Sequence, residues 1–298
     1  MRFLVCNDLH LKPTASDYDV EAVQVSDDVD AAFVAGDLTH RDGEDDIALA
    51  RRFIDRLATG APVMYVPGNH DCTPMPAHVV DGLENATSGH DVVSECESVT
   101  VVGWGCERRS LDPILDQTAF PALDPRTEPR GERRYAADRT ADAIEDALLE
   151  VVSDDTSARD AADTLDITPE NRGAFLRSVT SVQAAYDHLA SLVDAHTNVF
   201  LVTHLSPFNT SFDRHHSTGT REEDRESLHT GSIALKLVAR THDVFATICG
   251  HSHQFGYDTG DDADGAPHML NLGFRGVGIV DVNPDAGVFS FADANPSM

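Results

Sequence analysis

Lysine is almost missing. Of 22 basic residues only Lys12 and Lys236 are lysine, and the remaining 20 are arginine. Against them stand 51 Asp and Glu, giving a net charge of −29. An Asp-rich, Lys-poor balance of this kind resembles proteins of salt-accumulating halophiles, whose acidic surface keeps the chain hydrated and soluble. At molar salt the Debye length is about 3 Å, so the charge says little about partners. Aromatic residues make up only 6% of the chain, and most of the apolar residues are Ala, Val and Leu. A disordered acidic chain would lack strong apolar runs, and here they recur over the whole length. No run approaches the roughly 18 residues of a membrane helix. The five cysteines, Cys6, Cys72, Cys96, Cys106 and Cys249, form no C-x-x-C pair. An odd count argues for free thiols. Cys6, Cys72 and Cys249 adjoin polar clusters but read as small buried hydrophobes before they read as ligands. The N-terminal apolar run, Met1 to Cys6, passes straight into polar residues and leaves no room for a cleavable signal. The expectation is a soluble, cytoplasmic protein.

What the chain does have is five short polar clusters, each closing an apolar run. They are Asp8-Leu9-His10, Gly36-Asp37, Gly68-Asn69-His70-Asp71, Thr203-His204 and Gly250-His251-Ser252-His253. Open α/β sheets gather ligands at such strand ends. Taken singly, each cluster is an ordinary turn or a satisfied histidine. Together, in this order, they read as one metal centre. Alternation along an extended strand end would put Asp8 and His10 on one side, able to hold one ion. Asp37 is the natural bridge, because a carboxylate can span two ions. Asn69 and His204 can complete a second site, and His251 and His253 would each reach a different ion. Oxygen and nitrogen ligands so mixed suit Mn²⁺, Zn²⁺, Fe or Ni²⁺ better than Ca²⁺ or Mg²⁺. His70 is not needed as a ligand and is free to protonate a leaving oxygen, with Asp71 to orient it.

The organisation supports a sheet protein. Residues 2–6, 31–35 and 62–66 read as buried strands, and residues 44–58 carry helical spacing. Residues 20–29 have looser spacing that suggests a helix. The pattern is β-α-β-α-β with short connections, so a parallel core is expected. Strands follow near 92–93 and 99–102. Residues 107–195 differ, with several prolines and then Ala/Asp/Leu helical patterns at 141–152 and 175–193, and read as a mainly helical insertion in a single domain spanning 1–298. Strands at 199–202 and 244–248 flank a helix at 233–239 capped at Gly231-Ser232. Residues 269–272, 277–282 and 288–291 read as short antiparallel strands, and 258–265 as a solvated acidic loop.

The order D-x-H, G-D, G-N-H-D, H, G-H-x-H resembles the calcineurin-like metallophosphoesterase superfamily, in particular its small prokaryotic members. The resemblance runs from residue 8 to 253. It implies a four-layer α/β/β/α sandwich of two mixed sheets, with the strands after residue 199 in the second sheet. It implies one ion on Asp8, His10, Asp37 and His253, and another on Asp37, Asn69, His204 and His251. It makes His70, paired with Asp71, the catalytic histidine. The implied activity is hydrolysis of a phosphodiester or phosphomonoester. Rival readings are a nuclease of the same superfamily and a scaffold that has lost catalysis.

Two regions could set the substrate. The loop from Phe208 to His229 leaves from beside His204 and carries Asn209, Arg214 and His215, which we take as candidate contacts. Its arginines suit bidentate phosphate binding. Arg108, Arg109, Arg126, Arg130, Arg133, Arg134 and Arg139 form a second basic cluster. Interleaved acids make pairing within it a better expectation than nucleic-acid binding. The expected partner is a small phosphorylated molecule, with no membrane role.

Overall fold

The computed structural model describes residues 1–14, 21, 23–71, 75–105, 138–213, 231–259 and 267–295. Twelve strands form two six-stranded sheets. The first contains β1 (Arg2–Asn7), β2 (Ala31–Ala35), β3 (Val63–Val66) and β4 (Ala86–Ser88), with β11 (Gly276–Asn283) and β12 (Val288–Asp293). Its order is β12-β11-β1-β2-β3-β4, parallel from β1 to β4 and antiparallel at β1-β11-β12. The second contains β5 (Val92–Cys96), β6 (Val99–Trp104), β7 (Val199–Thr203), β8 (Val244–Cys249), β9 (Phe255–Asp258) and β10 (His268–Leu272). Its order is β5-β6-β7-β8-β10-β9, with a parallel centre and an antiparallel strand at each edge.

Strand alternation builds the layers. On β1, Phe3 and Val5 point at the second sheet, while Leu4 and Cys6 point at the helix outside the first. The Phe3, Phe33 and Phe200 rings join the sheets with centroids 5.0 to 5.7 Å apart. Helix α1 (Glu44–Ala58) opens on Glu44, Asp45 and Asp46, which suit the positive end of its dipole. It buries Leu49, Ala50, Phe53, Ile54 and Leu57, a spacing of three and four that lays one stripe on the sheet. Beside it lies α2 (Met75–Val80).

Among the described residues four more helices follow: α3 (Asp138–Val152), α4 (Ala158–Thr164), α5 (Pro169–Val193) and α6 (Ile233–Thr241). Leu189 and Val193 of α5, with Leu235 and Val238 of α6, pack on Val102, Trp104, Val199 and Leu201 and form the outer layer of the second sheet. The Ser232 hydroxyl caps α6 by accepting from the Leu235 N–H at 3.3 Å. The other end of α5 packs with α3 and α4 around Ile144, Leu148, Phe175 and Val179, a cluster joined by Phe208 and by Ile233 and Leu237 of α6. The four layers are those the resemblance implied. None of the described helices is long and apolar enough to cross a membrane.

Four expectations need correction. Among the described residues of 20–29 there is no helix, only turn and coil. Strand β9 occupies Phe255–Asp258, where the acidic stretch hid its alternation. The last strands do not stay together: β10 runs parallel to β8 in the second sheet, while β11 and β12 return antiparallel to β1 in the first. The second sheet also draws β5 and β6 from before residue 199. Periodicity reports which face of a strand is buried and is silent on its neighbour. The start of the 107–195 segment, as far as residue 137, lies outside the described residues.

Candidate metal centre

The five polar clusters converge at the carboxyl ends of β1, β2, β3, β7 and β8. Asp8 and His10 come together, but not by strand alternation. Strand β1 ends at Asn7, and Asp8 and His10 take left-handed φ values of 50° and 45°. Asp37, His251 and His253 do the same at 50°, 69° and 58°. Each such residue costs about 1–2 kcal/mol relative to ordinary backbone. Five of them side by side are strain concentrated where polar atoms must turn inward.

Ladder bonds hold the turns. Asp8 N–H donates to the Gly36 carbonyl at 3.2 Å, and His10 N–H to the Asp37 carbonyl at 2.9 Å. Gly36 has φ +83°, and a Cβ there would sit 2.2 Å from His204 Nδ1. A Cβ on Gly68 would sit 2.2 Å from Asp37 Oδ1. Each glycine makes room for a ligand-type side chain contributed by a different cluster.

The side chains aim at one another. His10 Nε2 and His253 Nε2 are 2.9 Å apart. His253 Nε2 lies 3.6 Å from Asp8 Oδ1, and His10 Nε2 lies 3.6 Å from Asp37 Oδ2. The same Asp37 oxygen is 3.6 Å from His204 Nε2. Asn69 Oδ1 is 2.9 Å from both His204 Nε2 and His251 Nδ1. The ligand atoms of Asp8, His10 and His253 lie within 4.8 Å of one another, as do those of Asp8, Asp37 and His204.

The electrostatics of this cluster call for a cation. His204 Nδ1 faces the Ala35 carbonyl at 3.1 Å, so it carries the hydrogen. Its Nε2 then presents a lone pair to the Asn69 carbonyl oxygen, two acceptors face to face. A cation between them resolves the conflict. Burial and the neighbouring histidines push His10 down to about 2, so it is a neutral imidazole. Burial pushes the Asp8 carboxyl up to about 7, against His204, which lowers it, and with Asp37, which raises it further. Oxygen and imidazole donors at about 3 Å spacing are what ions with bonds of about 2.1 Å require. The residues therefore fit divalent metal.

His70 stands beside the donor set. Its main-chain N–H donates to Asp37 Oδ1 at 2.7 Å, and its Nδ1 donates to the His40 carbonyl at 3.0 Å, so the Nδ1 side of the ring is held by backbone. Asp71 does not orient the ring. Its buried carboxylate accepts from the N–H groups of Gly68, Leu38 and Thr39 at 3.1, 3.3 and 3.4 Å, tying the β2 and β3 turns together. The pairing of Asp71 with His70 is thus replaced by a backbone carbonyl acting on His70.

Asn209 is also corrected. Its amide nitrogen donates to Asp142 at 2.8 Å and Glu145 at 2.9 Å on α3, so it braces the helices instead of facing the donor set. Arg214 and His215 lie outside the described residues, as do Arg108, Arg109, Arg126, Arg130, Arg133 and Arg134. Sequence reading missed His40, whose ring stacks on His70 at 5.3 Å and 23°. Its place three residues after Asp37 was the available signal. It also missed Asn7, whose amide donates to Asp8 Oδ2 at 2.8 Å, and Phe274, which packs on His253 and His10 and adjoins no polar motif.

The family model for calcineurin-like phosphoesterases matches residues 1–255. The chain belongs to that family. The family depends on two metal ions, and its chemistry is phosphoester hydrolysis. No curated protein sequence matches the chain. Similar solved structures include a phosphopantetheinyl hydrolase from Mycobacterium tuberculosis, at 17% identity and TM-score 0.49 over 92% of this chain and 89% of that one. A dimetal phosphatase from Danio rerio stands at 13% and 0.44, over 94% and 92%. A 5'-nucleotidase precursor from Thermus thermophilus stands at 14% and 0.41, over 98% of this chain and 53% of that one. Likeness this distant carries no argument about substrate.

Proposed function

We propose that this protein hydrolyses a small phosphodiester or phosphomonoester with two divalent ions held by Asp8, His10, Asp37, Asn69, His204, His251 and His253. The observation that carries this reading is the position of Asp37, one oxygen of which stands 3.6 Å from ligand nitrogens on either side. Asp8, His10 and His253 gather on one side, Asn69, His204 and His251 on the other. When bound, two such ions supply an acidified water and neutralise charge on the phosphoryl group. The chain's own residues do the rest. Asn7 and the His251 N–H fix the Asp8 carboxylate. The Ala35 carbonyl fixes the His204 tautomer, and the His40 carbonyl fixes that of His70. His70 Nε2 then delivers a proton to the departing oxygen.

Mn²⁺ is the ion we favour, with Zn²⁺, Fe or Ni²⁺ as substitutes. We take the chain to be one cytoplasmic domain over 1–298, with a mainly helical insertion at about 107–195, working at high salt. A phosphoester panel in molar KCl, with Mn²⁺, Ni²⁺ and Zn²⁺ each added to stripped protein, tests the reading. Turnover that requires added metal is expected. Two bound ions with no turnover on any ester would overturn it in favour of a binding scaffold, and single-stranded DNA cleaved as fast as a model diester would favour a nuclease.

A further inference from the structure

A single exposed apolar side chain is ordinary on a protein surface, but one whose ring packs on two histidines of the donor set asks for a reason. Phe274 is 51% exposed. Its ring centroid lies 5.0 Å from that of His253 and 5.8 Å from that of His10, the latter at an interplanar angle of 31°. The turn that carries it is pinned from several directions. Asn7 Nδ2 donates to the Gly273 carbonyl at 2.9 Å, and Gly273 N–H donates to Asn271 Oδ1 at 2.8 Å. Arg275 N–H donates to the carbonyl of Asp8 at 3.0 Å. Gly273 and Arg275 adopt left-handed φ values of 77° and 55° on either side of the phenylalanine. The turn is therefore bolted to Asp8 and its neighbour, and its backbone strain serves to present one ring. The Arg275 guanidinium stands 5.2 Å from the ring centroid, a positive charge on an aromatic face.

His10 lies between this ring and His70, whose own centroid is 4.9 Å from that of His10. An organic group of a phosphoester seated at the donor set, carried on the side of His10 away from His70, meets the exposed ring of Phe274. We propose that Phe274 is a substrate-positioning plate and that the preferred substrate carries a planar aromatic ring, as in a nucleoside or aryl phosphoester. Arg275 supports it by adding positive charge at the mouth of a strongly acidic molecule. The inference rests on the phosphoesterase reading for its kinetics but not for its binding test.

The kinetic test compares kcat/KM for phenyl and ethyl phosphoesters with the same number of charges. Phe274→Ala is expected to lower the phenyl-to-ethyl ratio about tenfold, the order expected for loss of one stacking partner. Phe274→Tyr should keep the ratio, and Phe274→Leu, which preserves apolar cover without a π face, should lose it. A ratio unchanged in Phe274→Ala, through equal losses on both esters or none on either, would overturn the proposal and leave Phe274 as packing for His10 and His253. The binding test uses Phe274→Trp loaded with Zn²⁺ and titrated with adenosine monophosphate and with ribose 5-phosphate, the wild type correcting for Trp104. Quenching by the nucleotide alone is expected. Equal quenching by both, or by neither, would overturn it. If the wild type hydrolyses neither ester, the titration decides the plate by itself, and the phosphoester panel decides the phosphoesterase reading.

Discussion

The protein buries carboxylates in two places and treats them in opposite ways. Glu145 on α3 is buried among cations and donors: Arg240 Nη1 at 2.7 Å, Lys236 Nζ at 3.7 Å and the Asn209 amide at 2.9 Å. Its charge is answered by α6 and the chain after β7, so the cluster fastens α3 to α6. Asp8 and Asp37 are buried among imidazoles and an amide oxygen, and they accept from main-chain N–H groups and from Asn7. The first cluster is complete within the chain. The second gathers acceptors and asks for positive charge from outside. The lesson is that burial of an acid does not mark a site. Burial of an acid among other acceptors does.

Breaking each cluster should separate the two roles. The largest effect is expected from Asp37→Ala, which should abolish turnover and lower the bound metal seen by elemental analysis. Added Mn²⁺ should raise the melting temperature of the wild type but not of this variant, since only a ligand bound to the folded state stabilises it. Two tightly held ions in the variant would remove Asp37 from the bridge. His70→Ala should keep the metal and lose turnover by about 10²–10⁴-fold. Full activity in it would end the acid assignment. Glu145→Ala removes the buried carboxylate that Lys236 and Arg240 share, leaving Arg240 only the exposed Asp146, and about 3 kcal/mol of stability should go in urea melts. Its metal content should stay at the wild-type level, and loss of metal would show that the two clusters are one.

A smaller effect concerns pH. In stripped protein the folded Asp8 carboxyl, at about 7, holds its proton more tightly than the unfolded one near 3.8. The stability it contributes is therefore complete below about 3.8 and lost as pH rises through about 7. Asp8→Asn should remove that part of the decline, so the two melting curves should diverge between about pH 4 and 7, with the variant higher, and stay apart above neutrality. Curves that stay parallel from pH 4 to 8 would contradict it. The smallest effect is expected from Cys249, next to the metal cluster in sequence. Burial pushes its thiol up to about 12, and its Sγ faces the Leu270 carbonyl at 3.5 Å. Cys249→Ala should leave metal content unchanged, and iodoacetamide at pH 8 should spare Cys249 in the native protein.

Much of this was legible in the chain. The strands β1, β2, β3, β7 and β8 are apolar runs closed by polar residues, α1 and α6 carry helical period in their own sequence, and α6 carries its Ser232 cap. Such features depend on neighbours a few residues away, so the local sequence encodes them. The partner of β10, the return of β11 to β1, and the acidic disguise of β9 depend on pairing between separate segments, up to 279 residues apart for β1 and β11, which local pattern does not carry. The same divide runs through the candidate site. Residue type and order suggested a donor set from Asp8 to His253. Whether Asp71 serves His70 or the β2 turn, and whether Asn209 faces the centre or α3, depended on where separate turns meet.

The sequence by itself determined the buried strands, the polar strand ends and the chemistry on offer, because side-chain period and ligand type are local properties; the four layers came from the resemblance. The tertiary structure alone decided which acceptor faces which, how five left-handed residues turn their donors inward, and that a phenylalanine stands at the rim. These are contacts between segments far apart in the chain, fixed only when both sheets close.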